Sequence, residues 1–293
     1  MSDPLPPVAF VIPANLRRLA TAGDRESAWF AVLPGLVTEL AERWSLRVGA
    51  PYEPGGTSAW VAPVTRSDGS RAVLKVGFRH YEARDEAAGL RFWSGHGVVQ
   101  VFQSQVYDET TALLLEECRP GTMLSASLPP VERDEVIAKV LKRLWMTPPP
   151  GHPFRPLQNM VEMWEAGFWR SAPVPPDPGL MRAGLDLWRT LPTTAADEVL
   201  LCTDLHPDNV LAAEREPWLV VDPKPYVGDP AYDAIQHMLN FPDRLATDPA
   251  GFAGRMAALL DLDALRIRQY LFARCVIEEQ WDVVKTLAPT VDV

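Results

Sequence analysis

The stretch Leu201-Cys202-Thr203-Asp204-Leu205-His206-Pro207-Asp208-Asn209, followed by Trp218-Leu219-Val220-Val221-Asp222-Pro223-Lys224, decides how this chain is read. A short apolar run delivers Asp204 into a loop of turn-forming residues, and Asn209 follows five positions later. A second apolar run then ends at Asp222. Taken singly, the loop is a hydrogen-bonded turn and Val-Val-Asp-Pro is a strand ending. In this order, separated by one hairpin, they form a set of two carboxylates and one amide with a chemical use.

On either side of this β-rich interlude, predicted over 199–222, the chain is mainly helical. Helices are predicted near 157–170, 179–191, 231–240, 251–260 and 263–285, and another opens after Pro129-Pro130 with Val136, Val140, Leu141, Leu144 and Trp145 on its apolar side. Proline clusters at 148–156 and 173–178 punctuate these helices as rigid connections. The first 117 residues differ. Trp29, Leu33, Leu36, Leu40 and Trp44 recur at helical spacing over 29–44. A strand near 46–52 precedes two apolar, β-prone runs, 57–65 and 71–78, joined by the turn Arg66-Ser67-Asp68-Gly69. A helix over 82–94 and strands at 99–107 and 111–117 complete a small antiparallel sheet with one intercalated helix. The expected fold class is α+β and two-lobed: a β-rich N-lobe over 1–117, a hinge at 118–121, and a helical C-lobe over 122–293, with the cleft between lobes as the default site.

Composition bounds the function. The chain has 293 residues, 47% of them hydrophobic and 23% charged, and no apolar run approaches the roughly 20 residues that span a bilayer. The N-terminal stretch 1–13 has no basic residue ahead of its apolar part and is broken by prolines, so it does not read as a secretory signal. Cys118, Cys202 and Cys275 are odd in number with no CxxC pair, which suits reduced thiols in a cytoplasm and no zinc site. A net charge of −10 argues against nucleic-acid binding and attracts cationic small molecules. No membrane partner is expected, and the chain is read as a monomer or weak homodimer.

Phosphoryl transfer needs the residue types of the opening stretch. One carboxylate must orient the acceptor hydroxyl and take its proton; an amide oxygen and a second carboxylate must hold Mg²⁺ against the phosphates of ATP. The D-x-x-x-x-N spacing, with an acidic residue after the next strand, is that of a protein-kinase catalytic loop. Asp204 is therefore the candidate base, and Asn209 and Asp222 the candidate metal ligands. In the first lobe, Gly55-Gly56-Thr57-Ser58 lies at the first strand-to-strand turn, where backbone N–H groups could cover phosphates; no GxxxxGK[ST] occurs. Lys75 stands inside the apolar strand Ala72-Val73-Leu74-Lys75-Val76, a place lysine rarely takes without a partner. Glu86, in line with Leu90 and Trp93, is the preferred partner, and Glu82, one turn earlier, the alternative. The segment Glu116-Glu117-Cys118-Arg119-Pro120-Gly121 reads as a hinge, with Glu116 and Cys118 offering backbone groups to an adenine. Glu278, Glu279 and Trp281 are candidates for an acidic and aromatic acceptor lining suited to a cation. His206 is read as structural, Lys224 as either a phosphate contact or a surface lysine, and Asp229 or Asp233 as the cap of the next helix.

With these residues assembled, the chain resembles the aminoglycoside and hydroxyurea antibiotic-resistance kinase family, the group that contains streptomycin 6-phosphotransferases. The segment from Asp204 through Ala-Glu-Arg-Glu-Pro-Trp218 and Asp222 to Gly228-Asp229-Pro230-Ala231-Tyr232-Asp233 carries most of the resemblance. Glu86-Ala-Ala-Gly-Leu-Arg-Phe-Trp93 and Leu113-Leu-Leu-Glu-Glu-Cys-Arg-Pro-Gly121 add to it. It implies a protein-kinase-like fold, ATP as donor with Mg²⁺, and a small-molecule hydroxyl as acceptor, of an antibiotic such as streptomycin or hydroxyurea. By position it implies Asp204 as base, Asn209 and Asp222 as metal ligands, and Lys75 with Glu86 as the phosphate-anchoring pair. A metabolic sugar or amino-sugar kinase, or a non-catalytic nucleotide-binding scaffold, shares these features. Cys202-Thr203 departs from the His-Gly that many aminoglycoside kinases carry before the base, and Cys202 is expected to pack there as a small buried hydrophobe.

Overall fold

Alternation in the run 71–78 sets the first part of the fold. In the computed structural model, which describes residues 10–171 and 174–292, Ala72, Leu74, Val76 and Phe78 turn to one face and are buried. The readings of residues 1–13 and 173–178 lie outside the described residues at 1–9 and at 173. The chain divides into two compact units, Met1–Ala87 with Val99–Glu117, and Ala88–Val98 with Cys118–Val293.

The first unit contains α1 (Asp24–Arg43), β1 (Arg47–Val48), β2 (Ala59–Thr65) and β3 (Arg71–Phe78). After these come the start of α2 (Glu86–Trp93), β4 (Val101–Val106) and β5 (Thr110–Leu115). The strands form one antiparallel sheet in the order β1-β2-β3-β5-β4, with Lys75 opposite Val61 on one side and Leu113 on the other. Trp29, Leu33, Val37 and Leu40 form the buried stripe of α1 and share one core with the apolar face of β3. Lys75 therefore lies mid-sheet on the face away from that core. Only two residues of the strand expected at 46–52 join the ladder. Pro51 has no N–H to donate, yet Gly49 N–H and Tyr52 N–H still reach Pro63 O and Val61 O, each at 2.9 Å. The helix expected over 82–94 opens as a 3-10 turn, Glu82–Asp85, before α2.

An N-terminal strap lies against the turn between β1 and β2. Phe10 stacks on Trp60 with 5.3 Å between ring centroids, and Trp60 Nε1 donates to Val11 O at 2.9 Å. Asn15 donates from its backbone N–H to Pro54 O (3.0 Å) and from Nδ2 to Gly55 O (2.9 Å). Gly55 has φ +74°, and a Cβ there would meet Pro13 Cβ at 2.5 Å. Only glycine gives both the left-handed backbone and the close approach.

After the remainder of α2, the second unit contains α3 (Leu124–Ser127), α4 (Pro130–Leu144), α5 (Leu157–Arg170) and α6 (Pro178–Thr190). Four short strands follow, β6 (Val199–Leu201), β7 (Val210–Ala212), β8 (Trp218–Val220) and β9 (Tyr226–Gly228). The chain then runs through α7 (Pro230–Leu239), α8 (Pro242–Thr247), α9 (Pro249–Leu260), α10 (Ala264–Ile277) and α11 (Trp281–Leu287). β6 pairs with β9 and β7 with β8, both antiparallel. The single helix expected over 263–285 is two: Glu279 takes a left-handed φ of 57° and Gln280 N–H turns back to Cys275 O at 2.8 Å, closing α10. No helix among the described residues is long and apolar enough to cross a membrane.

Helix α4 is tied to three others through one carboxylate. Fully buried Asp134 accepts from His237 Nε2 on α7 (2.8 Å), Arg244 Nη1 and Nη2 on α8 (2.9 and 2.8 Å) and Arg255 Nε on α9 (2.8 Å). Burial pushes its pKa up, but the His237, Arg244 and Arg255 hydrogen bonds together outweigh burial and bring it from 3.8 down to about 2. A folded value below the unfolded one gives a contribution present above 3.8 and lost as pH falls toward 2. We expect this to amount to about 2 kcal/mol. In urea unfolding, the stability gap between wild type and Asp134→Asn should therefore narrow as pH drops from 5 to 2; a gap independent of pH would refute the assignment.

Candidate active site

Cys202 directly follows β6 and is fully buried, and burial raises its thiol pKa well above the ordinary range. It packs there as an inert small hydrophobe. Thr203 then takes a left-handed φ of 50°, an unusual conformation for a β-branched residue. Several bonds hold it there. Thr203 N–H donates to Asp233 Oδ1 at 2.7 Å, Cys202 N–H to Asp233 Oδ2 at 2.9 Å, and Thr203 Oγ1 to Lys224 O at 2.5 Å. Asp233 is itself fully buried on α7 and also accepts from Trp145 Nε1 at 3.0 Å. A strained residue over-determined by its neighbours is what aims the next side chain.

That side chain is Asp204. Gln236 Nε2 on α7 lies 3.3 Å from its Oδ1, and Lys224 Nζ lies 3.7 Å from its Oδ2. The 3-10 turn Pro207–Asn209 folds Asn209 back so that its Nδ2 donates to Asp204 O at 3.0 Å. With the amide nitrogen so used, Asn209 Oδ1 is the atom offered as a ligand. Val221 N–H bonds Asn209 O at 2.9 Å, linking this turn to the end of β8. Asp222 has a left-handed φ of 55°, and Lys224 Nζ sits 2.5 Å from its Oδ1. Asp204, Asn209 and Asp222 are thus brought together on two adjoining loops of the second unit.

In the first unit, Lys75 Nζ reaches both carboxylate oxygens of Glu86, at 2.7 and 2.8 Å, and both side chains are largely buried. The geometry selects Glu86; Glu82 belongs to the preceding 3-10 turn. Gly55, Gly56, Thr57 and Ser58 form the turn entering β2, and Ser58 O accepts from Phe78 N–H at 2.8 Å. Glu116 N–H donates to Gln100 O at 2.9 Å, and Cys118 is half-buried just beyond. Glu278 accepts from Arg274 Nε (2.7 Å) and Gln280 Nε2 (2.8 Å), Glu279 is exposed, and Trp281 opens α11. All three mark the break between α10 and α11.

The oxygen set of Asn209 and Asp222 suits a hard cation such as Mg²⁺, which typically takes one or two protein ligands and completes its shell with phosphate and water. A positive charge, the Lys224 ammonium, already lies against Asp222. Among the described residues no group of three or more His, Cys, Asp or Glu side chains could hold a metal without such help. Sequence reasoning missed the buried position of Lys224, the Gln236 contact and the anchoring by Asp233. Asp233 did leave a signal, an acid inside the apolar run Ala231-Tyr232-Asp233-Ala234-Ile235.

A model of the aminoglycoside/hydroxyurea antibiotic resistance kinase family matches residues 43–284. The chain belongs to this family. It is 36% identical over 283 residues to a hydroxyurea phosphotransferase of Kitasatospora aureofaciens, covering 93% of this chain and 80% of the relative. It is 34% identical over 274 residues to a streptomycin 6-kinase of Streptomyces glaucescens, covering 89% and 86%. Among solved structures, an aminoglycoside phosphotransferase from Streptomyces rimosus in complex with ADP and streptomycin superposes with a TM-score of 0.56. That match covers 84% of this chain and 98% of the other at 20% identity. The fold of this kinase is protein-kinase-like: a five-stranded antiparallel sheet followed by a mainly helical region. As a family member it is a phosphotransferase with a hydroxyl acceptor.

Proposed function

We propose that this kinase transfers the γ-phosphoryl group of ATP to a hydroxyl of streptomycin or of hydroxyurea and so confers resistance to that antibiotic. The observation that carries the reading is Asp204 itself. It is partly exposed, held at one oxygen by Gln236, and carried on a loop that Asp233 fixes through two backbone N–H groups. Asp204 orients the acceptor hydroxyl and takes its proton as the new P–O bond forms. Lys75, braced by both oxygens of Glu86, holds the α- and β-phosphates, and the Gly55–Ser58 turn covers them through backbone N–H groups. Asn209 and Asp222 are the residues that would hold Mg²⁺, which when bound would neutralise charge on the phosphates. Backbone groups of Glu116 and Cys118 meet the adenine, and Glu278, Glu279 and Trp281 line the acceptor side. The acidic surface favours a cationic acceptor, which supports streptomycin.

An ATP-consumption screen against streptomycin, other aminoglycosides, hydroxyurea and amino sugars tests this, with Asp204→Asn as the blank. ADP release that depends on streptomycin or hydroxyurea is the expected result. Turnover with amino sugars alone would reassign the enzyme to metabolism, and no acceptor-dependent turnover would sink the proposal.

A further inference from the structure

Lys224 is buried, with 8% of its surface exposed. Its Nζ lies 2.5 Å from Asp222 Oδ1, 3.0 Å from Asp222 O and 3.7 Å from Asp204 Oδ2. The backbone beneath it is pinned on both sides. Lys224 N–H donates to Cys202 O at 2.9 Å, and Lys224 O accepts from Thr203 Oγ1 at 2.5 Å. Pro225 then packs against α2 so closely that a Cβ on Gly89 would stand 2.3 Å from Pro225 Cγ. The ammonium is thus a fixed part of the loop pair, standing between the two carboxylates.

We propose that Lys224 is a built-in counter-ion that makes the metal enter with the nucleotide and not ahead of it. The proposal rests on the reading of Asp222 as a metal ligand and Asp204 as the base. Two carboxylates this close, without a cation, would attract a bare divalent ion and repel a polyanionic triphosphate. With the ammonium between them the net charge of the cluster falls from −2 to −1. That weakens the pull on a free metal ion and eases the approach of triphosphate oxygens, and the desolvated position of Lys224 keeps the effect from being screened away. Loss of the charge must therefore move two affinities in opposite directions. A merely structural lysine would weaken both or neither.

The test measures Mn²⁺ binding without nucleotide, by paramagnetic resonance, and ATP binding in EDTA, by calorimetry. Wild type, Lys224→Met, Lys224→Arg and Asp222→Asn are compared. Lys224→Met is expected to bind Mn²⁺ about tenfold more tightly and metal-free ATP about tenfold more weakly, while Lys224→Arg stays within about threefold of wild type in both. Affinities that fall together, or that do not move, overturn the proposal. Wild type also decides without any variant, because Mn²⁺ bound as tightly in the absence of ATP as in its presence overturns it too. Asp222→Asn separates the two levels of the argument. If it leaves Mn²⁺ binding unchanged, the metal-ligand reading has failed; if it abolishes binding while Lys224→Met behaves as wild type, only the role of Lys224 has failed.

Discussion

Asp204→Asn is expected to lower acceptor-dependent turnover by about 10²–10⁴-fold while affinity for ATP in the presence of Mg²⁺, where the opposed effects on metal and triphosphate offset each other, stays within about threefold of wild type. The substitution keeps the size of the side chain but removes the negative charge and the site that receives the hydroxyl proton. It also creates a local conflict. The carboxylate oxygens face two donors, Gln236 Nε2 at 3.3 Å and the Lys224 ammonium at 3.7 Å, so the NH₂ of an asparagine must point at one of them. The base is thus lost in chemistry and disturbed in aim. Little stability should go with it, since the Asp204 side chain is about a third exposed and the loop is anchored elsewhere. ADP release under saturating ATP, with calorimetry of ATP binding, measures both effects. Wild-type turnover would remove Asp204 from the mechanism.

Asp233→Ala should produce the largest loss of stability, about 3–5 kcal/mol in urea unfolding, together with loss of activity. It strips the acceptor from three donors at once, the buried N–H groups of Cys202 and Thr203 and the half-buried Trp145 Nε1. It also frees Thr203 to leave its left-handed conformation, and Asp204 would move with it. Burial pushes the Asp233 carboxyl up from 3.8 to about 6, against the pull of those three donors. Here the folded value lies above the unfolded one. Its contribution is complete below 3.8 and is lost as pH rises to about 6, the opposite sense to Asp134 and in a separate window. Asp233→Asn should abolish the part of the stability–pH slope between pH 4 and 6. A slope unchanged in that variant, or wild-type stability in Asp233→Ala, would count against the anchoring role.

How much of this was legible in the sequence depends on whether the deciding interaction was local. The apolar, β-prone composition of 71–78 and the turn before it were enough for the strand, whereas the face Lys75 takes, away from Leu74 and Val76, came from the structure. The helices at 157–170 and 251–260 showed in their apolar spacing, and the spacing of Asp204, Asn209 and Asp222 was enough to group them. The remainder depended on partners far away in the chain. No proline or glycine marks the break at Glu278–Gln280; the turn-back of Gln280 to Cys275 and the Arg274–Glu278 pair make it. Lys224 stayed open between a phosphate contact and a surface residue, because its burial depends on Cys202, Thr203 and Asp204, some 20 positions earlier. Thr203 gave no sign of a left-handed backbone, since the residue type disfavours it and only Asp233 and Lys224 together impose it.

The strap of residues 10–15 bears on where a gene for this enzyme can be cut. The family match opens at residue 43, which invites an expression boundary there. Such a fragment would discard Trp29, Leu33, Val37 and Leu40 and leave Leu74, Val76 and Phe78 bare on one side of the sheet. A cut at residue 16 is subtler. It keeps most of that core but removes Phe10 and Ile12, which pack against it, and the partners of Trp60 Nε1 and Gly55 O, so the fragment could fold and still leave the turn before β2 unsupported. Kinetic constants measured on trimmed versions would then describe the trimming as much as the enzyme.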